Sequence, residues 1–205
     1  MQVKHVTYTT GQLGPMKQFY AGLLGLPVVL STVDRFTVRV GATLLSFLEQ
    51  PGEQTHNHFA LGIRSDAWAP LRDRIAAAVG LLADAGGNRD FFSDLWQSPH
   101  IYFYDPAGNN VEILAAADGD PWSRIMEVGL PLPDMATGVA RLQGLFPTKY
   151  ESSSETFRFY GDEAGVLVLV KAGRPWFPCD RPATIHPIQV SADAIHFESL
   201  KINEP

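Results

Sequence analysis

A short stretch of alternating polar and apolar residues, followed by a helical pattern, occurs three times along the chain. These stretches begin at His5, His58 and Glu127, and their period of two predicts β-strands. Apolar residues then recur at helical spacing, as they do over 15–24 in the first copy. Further strand patterns follow each helix, separated by turn residues such as those at 105–109. The order predicts a repeated strand–helix–strand–strand–strand unit of roughly 50–60 residues.

Some of the matched positions in the three copies carry residue types that ligate metals. The residues at these positions are His5, His58 and Glu127 in the opening strands and Leu45, Glu112 and Leu169 in the closing strands. The first two copies therefore supply His5, His58 and Glu112, which are two imidazoles and one carboxylate. This is the ligand set of an open site for Fe(II) or Mn(II). The third copy does not repeat the set, so we expect that unit to be structural.

The faces of the predicted strands support this ligand set. His5 shares one face of the first strand with two threonines, while the bulkier Val6 and Tyr8 share the other. His58 likewise shares its face with two small residues and lies opposite bulky apolar ones. We expect the bulky residues to pack on the helices, which leaves the ligand residues on a face with room for a guest molecule.

The sequence contains three distinctive segments: HVTYTT followed by FYAGLLGLPV, then HFALGI, then IYFYDPAGNNVEIL. They resemble the vicinal-oxygen-chelate superfamily, which groups glyoxalase I, fosfomycin-resistance proteins, bleomycin-binding proteins and extradiol ring-cleavage dioxygenases. The resemblance covers residues 3–116 well and 124–171 weakly, and the stretch 101–112 follows the end of the extradiol dioxygenase signature. It implies paired βαβββ units whose sheets curl into a cup around a divalent metal, with His5, His58 and Glu112 as ligands.

The fold class that follows is α+β, with tandem βαβββ units forming a curled mixed-sheet cup and a third, partial unit. We expect residues 1–118 to form the metal cup, and residues 119–205 to hold the third unit and a proline-rich C-terminal arm that follows Lys171 and includes residues 173–182. The third unit then lacks an intrachain partner, although Val166, Val168 and Val170 make one of its faces apolar. A homodimer through residues 124–171 would cover that face. The alternative is that the arm folds back over it.

Two residues of the dioxygenase-like stretch are further candidates. Tyr102 lies ten residues before Glu112, the spacing of a tyrosine that hydrogen-bonds substrate in extradiol enzymes, so Tyr102 is a candidate catalytic residue. Its alternative interpretation is a half-buried strand aromatic. The signature also has a histidine several residues before Ile101; only His100 is present, and we interpret it as a polar residue at a strand start. Glyoxalase I has a fourth ligand where Leu45 stands here.

Composition narrows the class of protein. The chain has 16 Lys+Arg against 22 Asp+Glu, and this formal net charge of -6 argues against a nucleic-acid or anionic-membrane partner. The single cysteine, Cys179, excludes an intramolecular disulfide and cysteine-rich zinc modules. The chain opens without a signal-peptide pattern, and no apolar run approaches the ~18 residues of a membrane span. We therefore expect a cytoplasmic protein.

Two functions fit these features. The first is a metal-dependent enzyme of the glyoxalase or extradiol dioxygenase type, which binds a small substrate through vicinal oxygens. Fe(II) or Mn(II) is favoured at its site, with Zn(II) or Ni(II) as alternatives. The second is a metal-free protein that sequesters a small molecule in the same cup, as bleomycin-binding proteins do. Metal analysis of the purified protein distinguishes the two.

Overall fold

Two β-sheets carry the fold in the computed structural model of the chain, which describes residues 1–142, 154–192 and 195–198. The first unit comprises β1 (Val3–Thr10), α1 (Leu13–Lys17) with a π-helical continuation (Gln18–Leu23), β2 (Val28–Ser31), β3 (Arg35–Val40) and β4 (Thr43–Glu49). The second comprises β5 (His58–Arg64), α2 (Ser65–Val79), β6 (Phe91–Ser93), β7 (Ser98–Tyr104) and β8 (Asn110–Ala116). The third comprises β9 (Trp122–Leu132), α3 (Met135–Leu142), β10 (Phe157–Asp162) and β11 (Gly165–Lys171), and β12 (Ile188–Ala192) and β13 (Ile195–Glu198) follow. Within these residues, no helix is both long and apolar enough to cross a membrane.

Each unit places its first and last strands side by side. The six-stranded sheet has the order β13-β12-β1-β4-β3-β2, and the seven-stranded sheet has the order β10-β11-β9-β5-β8-β7-β6. The neighbours β1 and β4, β5 and β8, and β9 and β11 are parallel. This confirms the α+β class and the repeated unit. The described part of the third unit has one strand fewer than the other two, as a partial unit should.

The units pair differently in the structure from what the sequence predicts, which is that the first two units pair and residues 1–118 form one cup. Strand β5 pairs antiparallel with β9, where Phe59 is opposite Val128, so the second and third units share the seven-stranded sheet. Strand β1 pairs antiparallel with β12, where Val6 is opposite Val190. The predicted pairing is wrong because every unit begins with a strand that has a free edge. Repetition in the sequence does not specify which of these edges meet.

The apolar faces of the two sheets pack against each other and against the helices. The rings of Tyr8 in β1 and Phe59 in β5 stack with centroids 5.0 Å apart. Leu71 and Ile75 of α2 belong to the same buried cluster. Burying each such large side chain contributes about 1.5–3 kcal/mol. Because the bulky residues meet here, as the alternation predicts, the opposite face of each sheet carries the smaller and polar residues.

The third unit is covered within the chain. Strand β9 joins it to β5, and Val166, Val168 and Val170 of β11 pack against Trp176 and Ala183 of the C-terminal arm. The expectation that this unit lacks an intrachain partner is therefore wrong, since both the sheet edge and the apolar face are occupied. The homodimer stays a prediction, without the exposed face that motivated it.

Candidate metal centre

His58 is anchored to the backbone through one of its two ring nitrogens. It is the first residue of β5, lies on the sheet face away from the core, and is 5% exposed. Its Nδ1 lies 3.0 Å from the backbone oxygen of Asn110. A carbonyl oxygen can only accept, so Nδ1 carries the proton and donates. When the imidazole is neutral, this bond leaves the lone pair of Nε2 for a metal, which is how histidines that bind metals are commonly oriented.

Glu112 and Glu127 approach His58 from the strands on either side of β5. Ala60 lies opposite Glu112 of β8 and opposite Glu127 of β9. Nε2 of His58 is 3.8 Å from Oε2 of Glu112 and 3.7 Å from Oε2 of Glu127. One ligand atom from each of the three residues lies within 4.8 Å of the others. Because Ala60 ends at Cβ, the three longer side chains can converge beside it.

Both carboxylates are buried, and burial makes Glu127 costly to ionise without a cation. Glu112 is 2% exposed and Glu127 is 6% exposed. Burial and then the charge of Glu112 raise the pKa of Glu127, against weaker opposing effects of His58 and Trp96. Burial lowers the pKa of His58, but the Glu127 and Glu112 carboxylates raise it by more. Within the described residues, neither carboxylate forms an ion pair with a lysine or arginine.

A divalent cation fits this donor set. One imidazole nitrogen and two carboxylate oxygens are ligands that Mn(II) and Fe(II) accept. The two negative charges would balance the charge of the ion. Nitrogen and oxygen donors lie about 2.0–2.2 Å from such an ion, so modest side-chain movements from the observed separations suffice. A cation that joined the two buried acids would offset the cost of burying them.

The structure does not bring His5 to this group. His5 lies in the six-stranded sheet, where its Nε2 is 2.7 Å from the hydroxyl of Ser46, and that hydroxyl is 2.7 Å from Thr37 Oγ1. Glu127 occupies the place that the sequence assigned to His5. The reason is the strand pairing: β9, and not β1, lies against β5. Glu127 belongs to the third unit, so this grouping speaks against the expectation that the unit is only structural.

In the part of the chain that the structure describes, the third unit supplies one candidate metal donor, Glu127. Glu112 lies opposite Ala60, two residues after His58, and the equivalent pair in the third unit is Val168 opposite Gly129. Val168 is apolar and 1% exposed. Leu169, which the sequence placed there, faces the main core instead. The centre therefore has three protein donors within the described residues.

Three aromatic side chains around the donors restrain them. His100 of β7 contacts Oε1 of Glu112 through Nδ1, and Nε1 of Trp96 donates to Oε1 of Glu127 at 2.5 Å. Tyr102 lies opposite Glu112, with its ring 6.3 Å from that of His58. Burial and the charges of Glu112 and Glu127 raise the pKa of Tyr102 well above its usual value, so its hydroxyl stays protonated.

His100 has a part that the sequence interpretation missed. It was assigned as a polar residue at a strand start, and it does lie near the start of β7, but it is buried and touches Glu112. The available signal was the period of two, because His100 and Tyr102 share a face of β7. That face adjoins the one that carries Glu112.

The C-terminal arm closes the cup over these residues. The ring of Trp176 is 4.7 Å from that of His58. The next residue, Phe177, contacts Phe91 and Tyr102 at centroid distances of 5.0 and 5.6 Å. The three donors are therefore roofed by aromatic rings.

Comparisons with known proteins agree with this architecture. Residues 2–113 match the family model of the Glyoxalase/Bleomycin resistance protein/Dioxygenase superfamily. The chain belongs to this superfamily. Its fold is similar to that of a putative dioxygenase from Bacillus subtilis, with a TM-score of 0.66 and 16% identity over 96% of this chain and 68% of that one.

Glyoxalase I from Zea mays has the same fold, with a TM-score of 0.60 and 14% identity. The match covers 82% of this chain and 66% of the maize protein. The chain thus spans about two thirds of the length of both solved structures. No curated protein sequence matches it significantly. At these identities the structural matches establish the fold, and the chemistry must be argued from the site.

Proposed function

We propose that this chain is a metal-dependent enzyme of the glyoxalase or dioxygenase type. It binds a small substrate through two vicinal oxygens at one divalent ion held by His58, Glu112 and Glu127. The observation that carries the proposal is the meeting of two buried carboxylates at one imidazole nitrogen, at 3.7 and 3.8 Å. Burying an acidic pair without a cation is unfavourable, and a metal ion removes that cost.

The donor set favours Mn(II) or Fe(II). Carboxylate donors suit the harder ions such as Mn(II), whereas imidazole suits Fe(II), Zn(II) and Ni(II). Two carboxylates with one imidazole differ from the two-imidazole set expected from the sequence, and the difference moves the preference towards Mn(II). Such an ion acts as a Lewis acid that stabilises negative charge on a bound substrate oxygen.

The protein's own groups fix the donors and exclude water. His100 holds one oxygen of Glu112, and Trp96 holds one oxygen of Glu127. Partners of this kind typically contribute 10–100-fold to metal affinity. Tyr102, protonated and opposite Glu112, is the candidate residue for donating a hydrogen bond to substrate. The aromatic roof lowers the local dielectric, which strengthens each of these interactions.

Titration calorimetry with Mn(II) and elemental analysis test the proposal. Wild type should bind one ion per chain, His58→Ala should bind none, and His5→Ala should bind as wild type does. A wild-type protein that binds no divalent ion yet retains a small aromatic molecule would support the metal-free binding protein instead. Screening the loaded enzyme for oxygen uptake with dihydroxy-aromatics, and for isomerisation of thiohemiacetals, then separates dioxygenase from glyoxalase chemistry.

A further inference from the structure

The C-terminal arm is a closed loop anchored at the edge of the cup. Backbone hydrogen bonds join its two limbs: Gly173 N to Ala183 O at 2.8 Å, and Trp176 N to Arg181 O at 2.9 Å. Nδ2 of Asn110 donates to the carbonyl of Phe177 at 2.9 Å. These bonds place Trp176 and Phe177 at a defined position above the sheet.

Arg181 makes the second anchor of the arm. Its guanidinium donates to the carbonyl of Gly108 and lies over the ring of Tyr104, 4.1 Å from the centroid. The arm is thus fixed to the turn between β7 and β8, which leads directly into the strand of Glu112. A fixed arm can present a side chain to the metal centre with the precision of a strand residue.

Trp176 lies on His58 with its polar atom unpaired. The side chain is 4% exposed. A Cβ at position 129 would lie 2.9 Å from its Cη2, so Gly129 makes room for the indole. Its Nε1 is buried and has no hydrogen-bond partner within the described residues. Leaving a buried donor unpaired is unfavourable, which calls for an acceptor that is present only when the site is in use.

The acceptors nearest to the centre are already engaged. Oε1 of Glu127 takes the indole proton of Trp96, Oε1 of Glu112 contacts His100, and the backbone oxygen of Asn110 takes the proton of His58. The two Oε2 atoms are the proposed metal ligands, and a further acceptor, Oδ1 of Asn110, is buried without a partner in the described part of the chain. Its Nδ2 is fixed on Phe177 O, which sets the orientation of the amide. A buried donor and a buried acceptor therefore both lie unpaired on residues that contact His58.

We propose that Trp176 is a substrate-positioning residue of the arm, whose Nε1–H donates to an oxygen of the substrate bound at the metal centre. Asn110 Oδ1 accepts from a hydroxyl of the same substrate. The substrate class that satisfies both groups is a planar molecule with a hydroxyl beside a second oxygen. Its ring would pack against the aromatic cluster that Phe91, Tyr102 and Phe177 form. This inference rests on the proposed function, because the metal is what brings the oxygens to this position.

The test compares Trp176→Phe, which keeps a ring and removes the N–H, with Trp68→Phe. Trp68 is the control because it lies on the helix side of the sheet. Its indole, unlike that of Trp176, already donates a hydrogen bond, to Ile113 O at 3.3 Å. The probe is 4-nitrocatechol, whose absorption changes on binding a metal. Mn(II) affinity is measured first by calorimetry, and probe affinity of the loaded protein is measured second.

Trp176→Phe should bind Mn(II) as wild type does and bind the probe about tenfold more weakly, the usual effect of losing one hydrogen bond. Trp68→Phe should change neither affinity. In the Zn(II)-loaded protein labelled with 15N-tryptophan, the indole N–H signal that Trp176→Phe removes should shift downfield with the probe. Unchanged probe affinity in Trp176→Phe, or a parallel loss of Mn(II) binding, would overturn the positioning role. Failure of wild type to bind Mn(II) would instead refute the proposed function, and this inference with it.

Discussion

Replacing Glu127 with Gln should move metal affinity and metal-free stability in opposite directions. Gln keeps an oxygen for the Trp96 indole but removes the charge. Two carboxylates up to 4.8 Å apart repel by about 3 kcal/mol at an effective dielectric of about 20. The attraction between Glu127 and a protonated His58 at 3.7 Å is of similar size and offsets this repulsion. The burial that raises the pKa of Glu127 then decides whether the substitution stabilises or destabilises the metal-free protein. We expect the metal-free variant to gain about 1 kcal/mol and about 2–4 °C in Tm.

The same variant should lose most of its metal binding. Partners that only orient a ligand contribute 10–100-fold, so losing a ligand should weaken Mn(II) binding by about 100-fold or more. Calorimetry gives the affinity, and a thermal melt in chelator gives the stability. Glu49→Gln, at an exposed carboxylate of the other sheet, should change neither. If Glu127→Gln binds Mn(II) as tightly as wild type, or if its metal-free Tm falls by several degrees, the reasoning is refuted.

Three further predictions concern the surroundings of the centre. His100→Ala should weaken Mn(II) binding by about tenfold and Glu112→Ala by much more; equal losses in calorimetry would make His100 a ligand in its own right. Burial raises the pKa of Asp105 to about 6 from 3.8, so the folded state holds a proton that the unfolded chain releases. Urea-unfolding stability should then fall by about 2 kcal/mol as pH rises from 4 to 6, and Asp105→Asn should lack this fall. Gly129→Ala, whose Cβ would lie 2.8 Å from the carbonyl oxygen of His58, should cost about 1–3 kcal/mol, whereas Gly14→Ala, with open space around it, should not destabilise.

The repeated unit could be predicted because it depends on the local alternation of polar and apolar residues. The faces of β5 and β8 followed from the period of two, and they placed His58 and Glu112 on the side of the small residues, as the structure has them. Side chains on neighbouring strands of one unit meet in every copy. Two of the three donors therefore needed no knowledge of how the units associate.

The third donor depended on a long-range choice. His5 and Glu127 stand at equivalent positions of their units, and either could reach His58 if its strand lay beside β5. In the structure β9 pairs with β5, and β1 pairs with the C-terminal strand β12. The roof is similar: Trp176 lies in an irregular, proline-rich segment without periodicity, and its contact with His58 arises only from tertiary packing.

Anomalous diffraction from a crystal grown with Mn(II) tests the central claim most directly. We expect one strong peak per chain, about 2.0–2.2 Å from Nε2 of His58 and from a carboxylate oxygen of each of Glu112 and Glu127. A peak coordinated by His5, or no peak at the junction of β5, β8 and β9 in a crystal that holds Mn(II) elsewhere, would contradict it.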